Sequence, residues 1–225
     1  MSGQWDFTLE VVLKAEKTKF KEDFAASLLP PPLDPSKPTL VLDMDDTLVH
    51  SRRGKATLKL VSGKVVAVQR YMVAKRPGVD KFLRDMAKLY EIVVFTASKQ
   101  YYADTILDKL DPEGLITHRL YRESCVSCDG ETMIKDLSRL GRDLRRVVIV
   151  DDKPHYFSLQ PRNGIQIPAF KNVKGKKYLQ LKHIGFFLEK VAGAKDLTLE
   201  LERAKIMKRS RKVYEIFQEL FCIKP

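Results

Sequence analysis

Three short apolar runs, each ending in an acid or a hydroxyl, constrain the fold of this chain more than any other feature of its sequence. The first run leads into Asp43, the second ends at Thr96, and the third ends at Asp151, which Asp152 follows. The runs are Thr39–Leu42, Glu91–Thr96 and Arg146–Asp151. Continuous apolar runs of this length, rich in β-branched residues, are typical of fully buried strands in a parallel sheet.

The segments between and after these runs have the spacing of helices. Helices are predicted at Val79–Leu89, Gln100–Leu110, Ile134–Leu140 and, with a break near Gly193, over most of Tyr178–Phe221. Residues 55–73 instead form two β-rich runs around a turn at 61–64, which predicts a hairpin. Alternating strands and helices predict an α/β fold, a parallel sheet with helices on both faces and a small β-hairpin insert.

The length of 225 residues suits one domain with additions. We expect an N-terminal arm with a proline-rich connector at 1–37, a catalytic domain at 38–190 with its insert at about 52–74, and a C-terminal helical extension at 191–225. No run is long enough for a membrane span. The acidic N-terminus indicates neither a secretory signal nor a mitochondrial presequence. Three cysteines are too few for a disulfide framework and favour a reducing compartment.

The net charge of +12 suits nucleic acid, an acidic membrane face or a phosphorylated substrate, and charge alone does not choose among them. The acids at the strand ends are more specific. Because ligands of parallel α/β sheets bind beyond the carboxyl ends of the strands, we expect Thr96 and two acid pairs, Asp43 with Asp45 and Asp151 with Asp152, in one crevice. A single such acid usually caps a turn. Two crowded acid pairs are better explained by a bound cation, for which Mg²⁺ is the natural choice.

The residues that carry this chemistry resemble the FCP/SCP phosphatases of the haloacid dehalogenase superfamily, which act on the C-terminal repeats of RNA polymerase II and on related phosphoproteins. The resemblance extends over roughly residues 38–190 and implies a Rossmann-like fold of that superfamily. It rests on the DxDxT signature in Asp43–His50, on Lys75-Arg76-Pro77, on Val94–Ser98, on Tyr121–Cys125 and on Lys135–Leu144.

The resemblance implies a role for each residue of the catalytic set. Asp43 is the expected nucleophile, which forms an aspartyl phosphate, and Asp45 the expected general acid and base. Thr96 should bind the phosphoryl oxygens and Lys135 should neutralise their charge. Mg²⁺ is expected on Asp43, on Asp152 and on the backbone carbonyl of Asp45. Many relatives carry Asn in place of Asp152, and the effect of this extra carboxylate on metal affinity or turnover is left open.

Five further residues are expected to contact the substrate. Thr47 lies in the signature, and Tyr102 and Arg122 match peptide-contacting positions of the family. Arg53 and Lys99 depart from it, because the small relatives carry an aromatic and an aliphatic residue there. We therefore expect a more basic mouth that favours acidic or multiply phosphorylated segments over proline-anchored ones.

Three weaker signals have simpler interpretations that we favour. Cys125 and Cys128 have the spacing of a zinc or redox pair but lack further ligands, so two reduced thiols are expected. His50 is expected to be a structural residue. The stretch Lys205–Lys212 could be a nuclear-import signal or a nucleic-acid contact, but the solvated face of an amphipathic helix is favoured.

The leading interpretation is a magnesium-dependent protein serine/threonine phosphatase of the nucleus or cytoplasm. Its expected partner is a phosphorylated protein segment, with the RNA polymerase II C-terminal domain as one candidate. We expect a monomer without membrane contact, and direct nucleic-acid binding is not favoured. Two alternatives stay open: a non-catalytic protein-binding module, like a mitochondrial import receptor of the same superfamily, and a small-metabolite phosphatase.

Overall fold

Two sheets, four α-helices and several short 3₁₀ helices make up the part of the chain that the computed structural model describes, residues 3–12, 27–59, 65–127 and 132–209. The strands are β1 (Phe7–Val12), β2 (Thr39–Leu42), β3 (Val49–Lys59), β4 (Val65–Lys75), β5 (Glu91–Phe95), β6 (His118–Leu120), β7 (Val147–Asp151) and β8 (Gly164–Gln166). The α-helices are α1 (Val79–Leu89), α2 (Gln100–Leu110), α3 (Gln180–Val191) and α4 (Leu197–Arg209). The 3₁₀ helices are Arg122–Ser124, Leu137–Leu140, Leu144–Arg146, Pro154–Phe157 and Pro161–Asn163.

The central sheet is parallel, in the order β6-β5-β2-β7-β8. Its three inner strands are the three apolar runs of the sequence, and every residue in them is buried. Leu42 at the end of β2 lies opposite Val94 and Val150 of its neighbours. The polar residues that follow therefore leave the sheet at one edge, as expected. The edge strands β6 and β8 were not predicted, because three residues are too few to show a pattern.

The two faces of the sheet pack against different partners. On one face, Leu40, Ile92 and Val148 belong to a core cluster with the buried residues of α1, α2 and α3. On the other face, Val41 and Ile149 belong to a second cluster of buried apolar residues, which includes Leu29, Leu137, Leu140 and Phe157. The predicted α/β sheet covered on both faces is confirmed, with 3₁₀ helices and the N-terminal connector on the second face.

The second sheet is the insert, and it contains one strand more than expected. The predicted hairpin is present as β3 and β4, and Phe7–Val12 adds to it as β1, in the order β1-β4-β3. The start of the predicted N-terminal arm is therefore part of the insert. Its alternation of apolar Phe7 and Leu9 with Thr8 is the period of a half-buried strand, and Leu9 is buried.

The helix expected at Ile134–Leu140 is wrong in its first half. Ile134 forms an isolated antiparallel bridge with Val126, and a 3₁₀ helix begins only at Leu137. The reason is Asp136, whose carboxylate accepts hydrogen bonds from the backbone N–H and the hydroxyl of Ser138 and so caps a new turn.

The helical C-terminal part is confirmed as far as Arg209, with a break between α3 and α4, and the rest of that prediction lies outside the described residues. Within the described ranges, none of the helices combines the length and the apolar character that crossing a bilayer would require.

Candidate active site

The carboxyl edge of the central sheet brings three carboxylates together. The backbone N–H of Asp43 donates to the carbonyl oxygen of Val150 at 3.0 Å, so the parallel ladder continues to the level of Asp151. Carboxylate oxygens of Asp43, Asp151 and Asp152 lie within 4.8 Å of one another. The predicted meeting of the two acid pairs is thus borne out by the geometry of Asp43 and Asp152. Asp151 was expected in this crevice as part of the second acid pair, but not as a metal ligand.

Lys135 is the counterion of two of these carboxylates. Its ammonium donates to Asp43 Oδ1 at 2.7 Å and to Asp151 Oδ2 at 2.6 Å, and its side chain is fully buried. The backbone N–H of Lys135 donates to the carbonyl oxygen of Tyr156 at 2.6 Å, and this bond fixes the loop around Lys135. Burial alone would lower the pKa of Lys135, but the charges of Asp43 and Asp151 outweigh burial and raise it. The lysine therefore remains a cation in a site of acids.

Asp152 carries an oxygen without a partner. Its Oδ1 is buried and accepts no hydrogen bond from the described residues. Burial and the charge of Asp43 raise the pKa of Asp152, while the nearby ammonium groups of Lys153 and Lys171 act in the opposite direction. A buried oxygen without a donor, beside a second carboxylate, is the kind of position that a hard divalent cation fills. The carboxylates of Asp43, Asp151 and Asp152 thus form a donor set that fits Mg²⁺. Lys153 and Lys171 partly offset the negative charge that Asp152 has and that an Asn at this position would lack.

Asp45 stands in a different environment, although only Met44 separates it from Asp43. Its carboxylate accepts hydrogen bonds from the hydroxyls of Ser98 and Tyr102, both at 2.7 Å. Burial, with a contribution from the charge of Asp43, raises the pKa of Asp45 to about 6, against the lowering effect of the two hydroxyls. Asp43 faces an ammonium and Asp45 faces hydroxyls, so the two acids are suited to different roles.

Tyr102 was expected to contact substrate, and the structure gives its hydroxyl two partners within the protein. It donates to Asp45 Oδ1 and lies 2.6 Å from the hydroxyl of Ser51 on β3. Because the proton of Tyr102 goes to Asp45, Ser51 is the donor in the second bond. Asp45, on the loop after β2, is therefore linked through α2 to the insert. The ring centroid of Tyr102 lies 4.7 Å from that of Tyr71 on β4.

Thr47 and Thr96 are both buried beneath the site. The hydroxyl of Thr96, at the end of β5, accepts a hydrogen bond from the backbone N–H of Ser98 at 3.1 Å. The hydroxyl of Thr47 accepts one from the backbone N–H of Asp152 at 3.2 Å. Thr47 has no exposed surface, so in this structure it supports Asp152 rather than facing a substrate.

The three basic residues expected at the mouth occupy separate elements around it. Arg53 is exposed on β3, opposite Tyr71 of β4. Lys99 is the residue before α2, and Arg122 begins a 3₁₀ helix. Arg122 is held beside the site by its Nε, which donates to the carbonyl oxygen of Ala97 at 2.7 Å. Their contact with substrate stays a prediction.

Arg76, which lies in the motif Lys75-Arg76-Pro77, was not predicted to have a role in the site. Its fully buried guanidinium donates to the carbonyl oxygens of Thr47, Asp46 and Pro168, at 2.6, 2.8 and 2.7 Å. Two of these carbonyls belong to the loop after β2, where Asp46 adopts a φ of 60°. Arg76 thus fixes the turn that carries Asp43 and Asp45, a role that no local pattern reveals.

The weaker signals have structural explanations where the structure describes them. His50 is a structural residue, as expected, because its Nδ1 lies 2.6 Å from Asp46 Oδ1 and its ring stacks on Trp5. Cys125 is buried in the core, which raises its pKa to about 11, and Cys128 lies outside the described residues. Lys205 donates to the carbonyl oxygen of Pro161 at 3.1 Å, while side chains 207–212 are not described.

The chain is similar to several known proteins. The family model described as NLI interacting factor-like phosphatase matches residues 38–198. Human carboxy-terminal domain RNA polymerase II polypeptide A small phosphatase 1 is 44% identical over 140 residues, which cover 61% of this chain and 53% of that protein. The mitochondrial import inner membrane translocase subunit TIM50 of Phytophthora infestans is 41% identical over 158 residues, which cover 70% of this chain and 35% of that protein.

A solved structure described as Fcp1, an essential RNA polymerase II CTD phosphatase, is 20% identical with a TM-score of 0.49, covering 79% of this chain and 55% of the other. The first relatives are matched over 54%, 30% and 55% of their own lengths, so the chain spans about half or less of each.

Proposed function

The chain belongs to the NLI interacting factor-like phosphatase family, and on that basis we propose that it is a magnesium-dependent protein serine/threonine phosphatase. One observation carries the proposal. Asp43 and Asp45 lie two positions apart, but Asp43 faces the ammonium of Lys135 and Asp45 faces the hydroxyls of Ser98 and Tyr102. A nucleophile that must be ionised and an acid that must hold a proton need this separation.

In the proposed reaction, a carboxylate oxygen of Asp43 attacks phosphorus as the bond to the serine or threonine oxygen breaks. Asp45 gives its proton to the departing oxygen, so the products of this step are the free hydroxyl and an aspartyl phosphate on Asp43. Asp45, now ionised, takes a proton from water as that water attacks the same phosphorus. The second step releases inorganic phosphate and returns both acids to their starting states.

The other residues of the site bind and orient the phosphoryl group. Lys135 would offset its negative charge, and Thr96, at the end of the neighbouring strand β5, would donate its hydroxyl to a phosphoryl oxygen. Asp43, Asp151 and Asp152 would hold the Mg²⁺, with the Asp45 carbonyl as the further ligand expected from sequence. When bound, the ion lowers the negative charge that the attacking carboxylate meets at the phosphoryl group.

The proposed substrate is a phosphorylated segment of another protein, because the described insert is a small sheet rather than a large cap over the site. The C-terminal repeats of RNA polymerase II are one candidate, which the name of the human relative supports. Nucleus or cytoplasm remains the proposed location, and monomer the proposed state. The import translocase subunit among the relatives keeps a non-catalytic binding role as the alternative.

Hydrolysis of p-nitrophenyl phosphate, with magnesium and with a chelator, tests the proposal. The full chain should be active only with the ion, and Asp43→Asn should be inactive under both conditions. Asp108→Asn is the matched control, because it makes the same chemical change on the exposed side of α2. Activity that survives both the chelator and Asp43→Asn would contradict the mechanism. If the wild type with magnesium hydrolyses neither p-nitrophenyl phosphate nor phosphopeptides, the result would favour the non-catalytic binding role.

A further inference from the structure

The insert carries most of the excess positive charge of the protein. From Thr47 to Val79 the chain has eight Lys and Arg residues and no Asp or Glu, against a net charge of +12 for the whole chain. Two of the eight have internal roles, because Lys75 pairs with Asp80 and Arg76 is buried against carbonyl oxygens. Arg52, Arg53 and Lys55 are exposed on β3 and form no ion pair with a described carboxylate.

Alternation along β3 divides these three cations between its two faces. Ser51, Arg53 and Lys55 share one face, and Arg52 is on the other. The Ser51 face leads directly into the active site, because Ser51 bonds to the Tyr102 hydroxyl at 2.6 Å and that hydroxyl bonds to Asp45 at 2.7 Å. At about 3.3 Å per residue, Arg53 lies about 7 Å and Lys55 about 13 Å along the strand from Ser51.

This spacing matches that of an extended peptide, in which alternate side chains are also about 7 Å apart. In the described insert sheet β3 is an edge strand next to β4, and its other edge carries only the isolated bridge of Val49 with Asp45. From Ser51 onward that edge is therefore available to a segment that runs alongside it. A phosphoresidue held at Asp43 would then place every second side chain of the segment near a cation of the Ser51 face.

We propose that the Ser51 face of β3, through Arg53 and Lys55, selects substrate segments that carry acidic or phosphorylated residues two and four positions from the scissile phosphoresidue. The inference rests on the proposed phosphatase function and names the substrate class of that site. A peptide is favoured over nucleic acid, because single strands are usually bound by exposed aromatic side chains. The aromatic residue opposite Arg53, Tyr71, instead packs against Tyr102.

The test uses phosphoserine peptides of one length, with Glu at two and four positions, at one and three positions, or nowhere. Each is made with the charges on the N-terminal and on the C-terminal side. The measured quantity is kcat/KM of the full chain and of Arg53→Gln, Lys55→Gln and Arg52→Gln. Arg52→Gln is the matched control, because it removes the same charge from the same strand on the opposite face.

The wild type should prefer the peptide with charges at two and four positions, on one of the two sides. Arg53→Gln and Lys55→Gln should each reduce that preference about two- to fivefold, the size of an exposed charge pair, and Arg52→Gln should leave it unchanged. A wild type indifferent to the position of the charges would overturn the proposal. An equal loss of this preference in Arg52→Gln would also overturn it, because the effect would then come from the total charge of the strand and not from one face. Tighter binding of a single-stranded oligonucleotide than of the peptide would overturn it as well.

Failure of the phosphatase function would be seen separately, as a wild type that hydrolyses neither p-nitrophenyl phosphate nor any peptide. In that case the same peptides and variants, measured by fluorescence anisotropy, still decide the docking surface. If the measured affinities show the same preference for charges at two and four positions, they would support the proposed docking surface, and if they show no such preference they would overturn it.

Discussion

The hydroxyl of Tyr102 donates a hydrogen bond to the carboxylate of Asp45 at 2.7 Å, and so connects α2 to the loop that follows the first core strand. Ser51 of the insert bonds to the same hydroxyl at 2.6 Å. The orientation of the proposed general acid is therefore set by a tyrosine 57 residues away in sequence, and that tyrosine is in turn held by the insert. A tyrosine expected to contact substrate thus also acts within the protein, and this has a consequence for catalysis.

Tyr102→Phe should reduce kcat about tenfold for a phosphoserine peptide, the effect of losing one hydrogen bond to a charged group. The effect on p-nitrophenyl phosphate should be much smaller, because its leaving group needs no proton from Asp45. Tyr121→Phe is the control, since it removes a similar bond to Asp104. An equal loss with both substrates would mean that Tyr102 does not act through Asp45.

Lys135→Met should abolish measurable turnover, because the charge that faces Asp43 and the phosphoryl group is removed. It should also lower the free energy of unfolding by on the order of 3 kcal/mol, since two neighbouring buried carboxylates lose their counterion. Urea unfolding and the p-nitrophenyl phosphate assay measure the two effects. Lys81→Met, which breaks an exposed pair with Asp85, should change neither. Full activity in Lys135→Met would exclude its proposed role.

Asp152→Asn should weaken magnesium binding about tenfold, because a charged ligand is replaced by a neutral one. Without the ion, the variant should melt at a higher temperature than the wild type. The reason is that burial and Asp43 raise the pKa of Asp152, so its ionised form destabilises the folded state. Melting temperatures measured over a range of magnesium chloride concentrations report the affinity for the ion, and those measured without it report the stability of the ion-free protein. A stabilisation by magnesium as large as that of the wild type would remove Asp152 from the metal site.

Glu91 should make stability depend on pH in the acid range. Burial raises its pKa, but the hydrogen bonds from Arg142 and Thr39 outweigh burial and hold the pKa below the ordinary 4.5. The stabilisation is therefore complete above pH 4.5 and is lost as the pH falls through the lowered pKa. Glu91→Gln should cost about 2 kcal/mol at neutral pH, less than a fully buried pair.

The cost of Glu91→Gln should shrink as the pH falls below 4.5, because the wild type also loses the charge there. Urea unfolding over that range is the measurement, and Glu202→Gln, in an exposed pair with Arg162, should show little cost at any pH. A cost that stays constant down to strongly acid pH would show that the charge of Glu91 is not the source of its contribution.

The core of the fold and the meeting of the strand-end acids were predictable from sequence because their signals are local. An apolar run such as Thr39–Leu42 reports burial on both sides, and a parallel register places all strand ends at one edge. The family motifs then assign Asp43, Asp45, Thr96 and Lys135 to one site. Strand β1 was missed because pairing across some sixty residues leaves no local mark, although its alternation is visible afterwards.

The hydrogen-bond partner of each polar group became known only from the folded chain, because such partners are set by chain packing and not by sequence spacing. Arg76 reaches the carbonyl oxygens of Asp46 and Pro168 across 30 and 92 residues, and Lys135 reaches Asp43 across 92. The strand-end acids and Lys135 could be named from the motifs alone. The fold determined that two carboxylates face an ammonium, one faces hydroxyls and one keeps an oxygen free of hydrogen bonds among the described residues.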